Sequence, residues 1–274
     1  MVSKTKSTWL WIFAIIFTIG SALYQRATGP TYPKKAKITI GNQSFTLKLL
    51  TTHGGVTDAP ITFELPEEVS GFVKFRPYRS SGDWEGIEMK RVGDYLTAFL
   101  PNQPPAGKLE YMVSLSYEDE YYSVSEDPVI IRFKGAVPSL ILIPHVLLMF
   151  LAMLFSTRTG IEAIAGGHRT FKYSRVTLIT LGIGGMILGP IVQWYAFGDL
   201  WTGWPFGDDW TDNKTLIAFM FWVIAFFILR KNRENKLWPI IAFIVLLSIY
   251  LIPHSMGGSE LDYETGKVTT GLKE

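Results

Sequence analysis

The spacing of apolar residues changes character twice along this chain. From Trp9 to Tyr24 the residues are almost continuously apolar, with Lys4 and Lys6 just ahead. Such a run is either a retained anchor over residues 1–30 or a signal peptide cut near Ala22, where Gly20-Ser21-Ala22 are small. In the anchor reading, which is preferred, Trp9, Trp11 and Tyr24 mark the two membrane interfaces. Residues 31–137 hold no run long enough to span. Apolar and polar residues there alternate with period two over 37–40, 45–50, 61–65, 71–76, 95–100, 109–117 and 129–133, which predicts half-buried strands. Turn signals separate them, among them Gly41-Asn42, Gly54-Gly55, Gly93-Asp94 and Pro104-Pro105-Ala106-Gly107. From Leu140 the long apolar runs return. They predict helices over 140–156, 176–195, 215–229 and 237–251, a four-helix membrane domain at 138–256. Some runs are short against the roughly 20 residues a span needs, and flanking Trp, Tyr, Lys and Arg extend them. Residues 257–274 are left as a polar tail.

Composition sharpens this picture. Of 274 residues 48% are hydrophobic and only 18% charged, against about 25% charged in a soluble domain. The deficit sits in the long runs. A net charge of +2 is too small to imply nucleic acid, and no long basic run or nucleic-acid motif occurs, so no nucleic-acid partner is expected. The chain has no Cys, which excludes disulfides, c-type haem attachment, thiolate metal sites, iron–sulfur clusters and a Cys nucleophile.

About seven short strands with regular turns suggest two antiparallel sheets packed as a sandwich. The stretch Gly93-Asp94-Tyr95-Leu96-Thr97-Ala98-Phe99-Leu100-Pro101 leads through Gln103-Pro104-Pro105-Ala106-Gly107 into Leu109-Glu110-Tyr111-Met112-Val113. In this order of strand, Pro/Gly turn and Tyr-bearing strand, residues 34–137 resemble bacterial fibronectin type III or immunoglobulin-like domains. The resemblance implies an extracytoplasmic domain of a kind that binds or spaces and rarely catalyses.

Charge orients the helices. The link after 140–156 carries Arg158, Arg169, Lys172 and Arg175 against Glu162; the link after 215–229 carries Arg230, Lys231, Arg233 and Lys236 against Glu234. The loop 196–213 carries Asp199, Asp208, Asp209 and Asp212 and no base. The positive-inside rule then makes the N-terminus and both basic links cytoplasmic, and puts the β domain, the acidic loop and the tail outside. A bacterial inner membrane with a periplasmic β domain is the expectation that the resemblance adds.

Three features hold candidate chemistry. His145 and His254 sit in two Ile-Pro-His triplets at similar expected depth. Such a pair suits a b-type haem or a metal, while the structural alternative has each ring bonding a carbonyl freed by its neighbouring Pro. The outer loop packs Trp201, Trp204, Phe206 and Trp210 among Asp208, Asp209 and Asp212. It reads as a docking surface for a membrane or periplasmic partner, or as an interfacial aromatic belt in which Asp212 caps a helix starting near Lys214. A Ca²⁺ site there lacks the EF-hand spacing. Gly182, Gly185 and Gly189 mark close helix packing. No GxSxG, HExxH or P-loop pattern occurs.

Three functional readings follow. The first is a non-catalytic membrane subunit or scaffold that binds a partner through its β domain and outer loop. The second is a haem b or metal redox protein using His145 and His254. The third, a small transporter, is weakened because no charged residue is expected at mid-membrane.

Overall fold

The computed structural model describes residues 3–252 and 258–270, and its contacts divide the chain into two units. Thr31–Ala136 with Ser259–Thr269 form a β unit; the described residues of the other unit carry the long helices.

In the β unit, β1 (Lys34–Ile40) and β2 (Gln43–Leu49) pair as a hairpin. The turn between them needs a positive φ, supplied by Gly41 at +56°. β3 (Thr52–Gly54), β4 (Ala59–Glu64), β5 (Ser70–Pro77), β6 (Glu85–Glu88), β7 (Lys90–Val92), β8 (Tyr95–Leu100), β9 (Lys108–Tyr117), β10 (Glu120–Ser123) and β11 (Val129–Lys134) follow. One sheet runs β3-β11-β9-β5-β6, with β10 folded onto β9; the other runs β4-β8-β7. Every alternating stretch of the sequence is a strand. The segments that the pattern did not reveal, β3, β6, β7 and β10, are only three or four residues long, too short for alternation to register. The expectation of purely antiparallel sheets is corrected, because β3 pairs parallel to β11.

The alternation works as strand geometry requires. β4 turns Ala59, Ile61 and Phe63 inward, and β9 turns Leu109, Tyr111, Val113 and Leu115 inward. They share one core with Val73 and Phe75 of β5, Leu96 and Leu100 of β8, and Ile131 and Phe133 of β11. Each fully buried large side chain contributes about 1.5–3 kcal/mol. Tyr111 satisfies its hydroxyl by donating to Leu50 O at 2.9 Å, and burial pushes its pKa well above the ordinary phenol value.

Residues that the sequence left as a polar tail complete this unit. β12 (Glu260–Leu261) and β13 (Val268–Thr269) form a second hairpin. Asp262 shapes its turn by accepting from the amides of Glu264 and Thr265.

The helical unit contains α1 (Lys4–Thr28), α2 (Ser139–Ile164), α3 (Thr170–Phe197), α4 (Trp210–Lys231) and α5 (Leu237–Leu251). The first four are long and apolar enough to cross a bilayer. The last has 15 residues, about 22 Å against a hydrocarbon core of about 30 Å. α2 continues eight residues past the expected end at Ser156, and α3 begins before Val176. The polar stretch Ser156-Thr-Arg-Thr-Gly reads as a link, yet Thr159 returns its hydroxyl to Phe155 O at 2.6 Å and Arg158 pairs with Glu162 one turn on. Local bonding keeps these residues helical.

Glycines set the closest approaches. A Cβ on Gly160 would lie 2.4 Å from Phe243, which fixes the contact of α2 with α5. Within α3, residues Gly182–Leu188 form a π-helical segment. Of the three glycines expected to pack, Gly185 meets Thr215 of α4 with only 2.8 Å left for a Cβ, Gly182 would find Phe219 at 3.3 Å, and Gly189 has ordinary room. Gly184, which the spacing argument passed over, is held as tightly as Gly185, against Leu148 of α2.

Candidate functional site

The loop joining α3 to α4 is built around one carboxylate. Asp212 Oδ2 accepts the amides of Thr202 at 2.7 Å and Gly203 at 3.0 Å, together with Gln193 Nε2 at 3.1 Å. Asn213 Oδ1 accepts the amide of Trp204. Gly203 is required at this point, since a Cβ there would stand 2.6 Å from that of Asp212. The helix cap differs from expectation: α4 starts at Trp210, and Asp209, not Asp212, caps it by accepting from the amides of Thr211 and Asp212. The reason is that Asp212 is already committed to the loop amides.

The loop's chemistry is therefore sorted by side. Asp209 and Asp212 are buried and bonded to backbone. Trp204 and Phe206 stand 69% and 82% exposed, and Trp210 and Asp208 are exposed beside them. Trp201 is half-buried and donates its indole N–H to Trp204 O at 3.1 Å. Two carboxylates, Asp209 and Asp212, hold the inside while Trp204, Phe206 and Trp210 face out with Asp199 and Asp208. Among the described residues no three His, Asp or Glu side chains converge as a metal site would need.

His145 lies in α2 beside the π segment of α3. Its Nδ1 is 2.9 Å from Gly184 O, and because a carbonyl only accepts, Nδ1 carries the proton. The same carbonyl receives the Gly189 amide that closes the π turn. The ring thus bonds a carbonyl of the neighbouring helix, not one freed by Pro144. This tautomer leaves the lone pair on Nε2, the arrangement in which a second hydrogen bond orients a ligating imidazole. His254 lies outside the described residues. A cavity of about 30 Å³ between Met149, Lys214, Thr215 and Tyr250 has room for one water.

A third polar group lies in the stretch that the charge pattern reads as a solvated link. Arg158 and Glu162 are 0% and 2% exposed. Arg158 Nη1 lies 2.6 Å from Glu162 Oε2, close but not aligned as a hydrogen bond, and Nη2 donates to Ser7 Oγ at 3.3 Å. The guanidinium sits between the rings of Tyr173, 4.8 Å away, and Trp11, 5.4 Å away. Glu162 Oε1 accepts the amide of Arg169 at 3.2 Å, and Gly167 abuts the carboxylate with no space for a Cβ. One ion pair thereby joins α1, α2, α3 and the short link at 165–169. The i,i+4 spacing of Arg and Glu was the available signal.

Compared with family models, with curated proteins and with solved structures, the chain matches none of them.

Proposed function

We propose that this chain is a non-catalytic integral membrane subunit or scaffold that recruits a partner on the outer face of a bacterial inner membrane. The single observation behind this reading is the α3–α4 loop. Asp212 Oδ2 accepts the amides of Thr202 and Gly203 and Asn213 Oδ1 that of Trp204, with Gln193 Nε2 steadying the carboxylate, while Trp204 and Phe206 remain exposed. Large aromatics left uncovered by the protein on a pre-ordered backbone suit an interface hot spot, because little ordering entropy remains to be lost on binding.

The remaining parts of the reading agree with it. Basic residues at Arg169, Lys172, Arg175 and at 230–236 favour a cytoplasmic side for both short links. Five spans follow if α5 crosses with local thinning of the bilayer. The strand orders β11-β9-β5 and β4-β8-β7, with one shared core, support an immunoglobulin-like sandwich in the periplasm. The test is affinity purification from membranes of the wild type and of a Trp204→Ala, Phe206→Ala variant. A stoichiometric membrane or periplasmic protein retained by the first and lost by the second is expected. A monodisperse chain with no companion in either preparation overturns the reading.

His145 favours a second reading, a haem b or metal redox protein, because its Nδ1–H bond to Gly184 O presents Nε2 as a ligand. A reduced-minus-oxidised visible spectrum of the purified protein decides it: sharp haem bands that vanish in His145→Ala support it, and a colourless protein ends it.

A further inference from the structure

The outward face of the five-strand sheet is cationic. Arg76 and Lys74 on β5 stack on Trp84, at 4.6 and 5.4 Å. Arg79 and Lys108 both lie over Tyr78, at 5.3 and 5.2 Å. Arg132 on β11 stands opposite Lys108 on β9. Against these five cations the strands of this face carry Glu110, paired with Arg76, and Glu88 at the β6 edge.

The end of the face around Lys108 is occupied by the chain's own residues 259–263. Glu260 places its carboxylate on Lys108 and 3.9 Å from Arg79. Ser259 O accepts from Arg132, and the amide of Leu261 donates to Ala106 O at 3.0 Å. The Tyr263 hydroxyl accepts the amide of Lys108 at 2.9 Å and donates to Gln103 Oε1 or to Lys108 O. Ala106 is held at φ +67°, a conformation that disfavours a side chain, by bonds across to Phe133 that aim its carbonyl at the incoming strand. A carboxylate between two cations, a main-chain bond and a seated tyrosine together make a peptide-binding mode. The occupant is acidic at alternate positions, Glu260, Asp262 and Glu264. Its own secondary structure is a hairpin of two-residue strands, which has little stability apart from the groove.

We propose that this groove, lined by Arg79, Lys108, Arg132, Ala106 and Gln103, is a recognition site for an acidic extended peptide segment, with residues 259–263 as its built-in competitor. A partner strand carrying a carboxylate three residues before a tyrosine, as Glu260 stands to Tyr263, takes the same contacts once the tail leaves. The proposal rests on the reading of the β unit as a partner-binding domain and names the chemistry of that partner.

The test uses the full chain in lipid nanodiscs and a fluorescein-labelled peptide of residues 258–270, read by polarisation. In Glu260→Lys the tail repels Lys108 and Arg79, and the groove opens. Saturable peptide binding at least tenfold tighter than to wild type is expected, since a tethered tail competes at an effective concentration in the millimolar range. Lys108→Glu added to Glu260→Lys replaces the cation that receives the peptide's carboxylate, and peptide binding is lost; undiminished binding to this double variant overturns the proposal. Absence of saturable binding to Glu260→Lys, with an unchanged unfolding temperature, overturns the proposal, as does equal binding of a control peptide bearing Glu260→Lys. The titration needs no natural partner, so it fails independently of the co-purification test.

Discussion

Removing the carboxylate of Glu162 is the sharpest test of how the helical unit is held. In Glu162→Leu the Arg158 guanidinium stays at 0% exposure with no anion beside it. Breaking one partner of a buried pair costs about 3–5 kcal/mol. The rings of Trp11 and Tyr173 remain over the cation and retain about 0.5–2 kcal/mol each, so the net loss falls near the lower end, about 3 kcal/mol. At roughly 2–4 °C per kcal/mol for a chain of this size, the unfolding temperature drops by roughly 6–12 °C. Arg158→Met with Glu162→Leu removes both charges and keeps the volume apolar, and such replacements are neutral or stabilising by about 1–4 kcal/mol. The double variant therefore regains most of the loss. Tryptophan fluorescence during heating in one fixed detergent reads all three proteins. A single variant that unfolds within 2 °C of wild type, or a double variant as weak as the single, refutes the reasoning.

Other outcomes follow from the same geometry. Gly203→Ala pushes a Cβ to 2.6 Å from the Asp212 Cβ; a cost of about 1–3 kcal/mol and faster proteolysis at 198–209 are expected. Gly160→Ala gains about 1 kcal/mol of helix propensity but meets Phe243 Cδ1 at 2.4 Å, and overpacking of about 1–3 kcal/mol outweighs it, so the unfolding temperature falls. Burial on the β unit pushes the Tyr263 phenol from 10.0 up to about 12, with Lys108, Glu260 and Gln103 facing it. A raised pKa stabilises docking fully below pH 10 and loses that contribution as pH climbs through 12. Burial lowers the pKa of Lys108, an opposite trend complete by about 10.5. In this cysteine-free chain, spin labels at Thr265→Cys and Glu120→Cys read the tail-to-sheet distance. The distance distribution broadens between pH 10 and 12, and Tyr263→Phe removes that transition.

Much of the fold was legible because periodicity is a backbone property. Seven alternating stretches are strands, since one inward face per strand leaves a period-two record in residues such as Leu109, Tyr111 and Val113. The short strands β3 and β7 left none, because three residues carry no period. Charge was the less faithful guide. Arg158 and Glu162 read as part of a solvated link and Asp209 and Asp212 as an outward-facing surface, with Asp212 as the helix cap, yet all four are buried, each with a partner in another segment or within one turn. The exposed aromatics Trp204 and Phe206 were recognised by composition. The carboxylates that hold them depend on amides at Thr202 and Gly203 brought close by folding, which no spacing rule contains.

The far separation of the last hairpin from its sheet sets an order on biosynthesis. Arg132 and Ser259 are 127 positions apart, and Lys108 and Glu260 are 152 apart. At about 5–20 residues per second, the strands wait on the order of ten seconds for their final contacts while the intervening helices are being inserted. During that interval Lys108 and Arg132 wait for the contacts that residues 259 and 260 supply. A chain that stalls anywhere within the helical unit therefore leaves its β unit without the Ser259–Arg132 and Glu260–Lys108 contacts that close this end of the sheet.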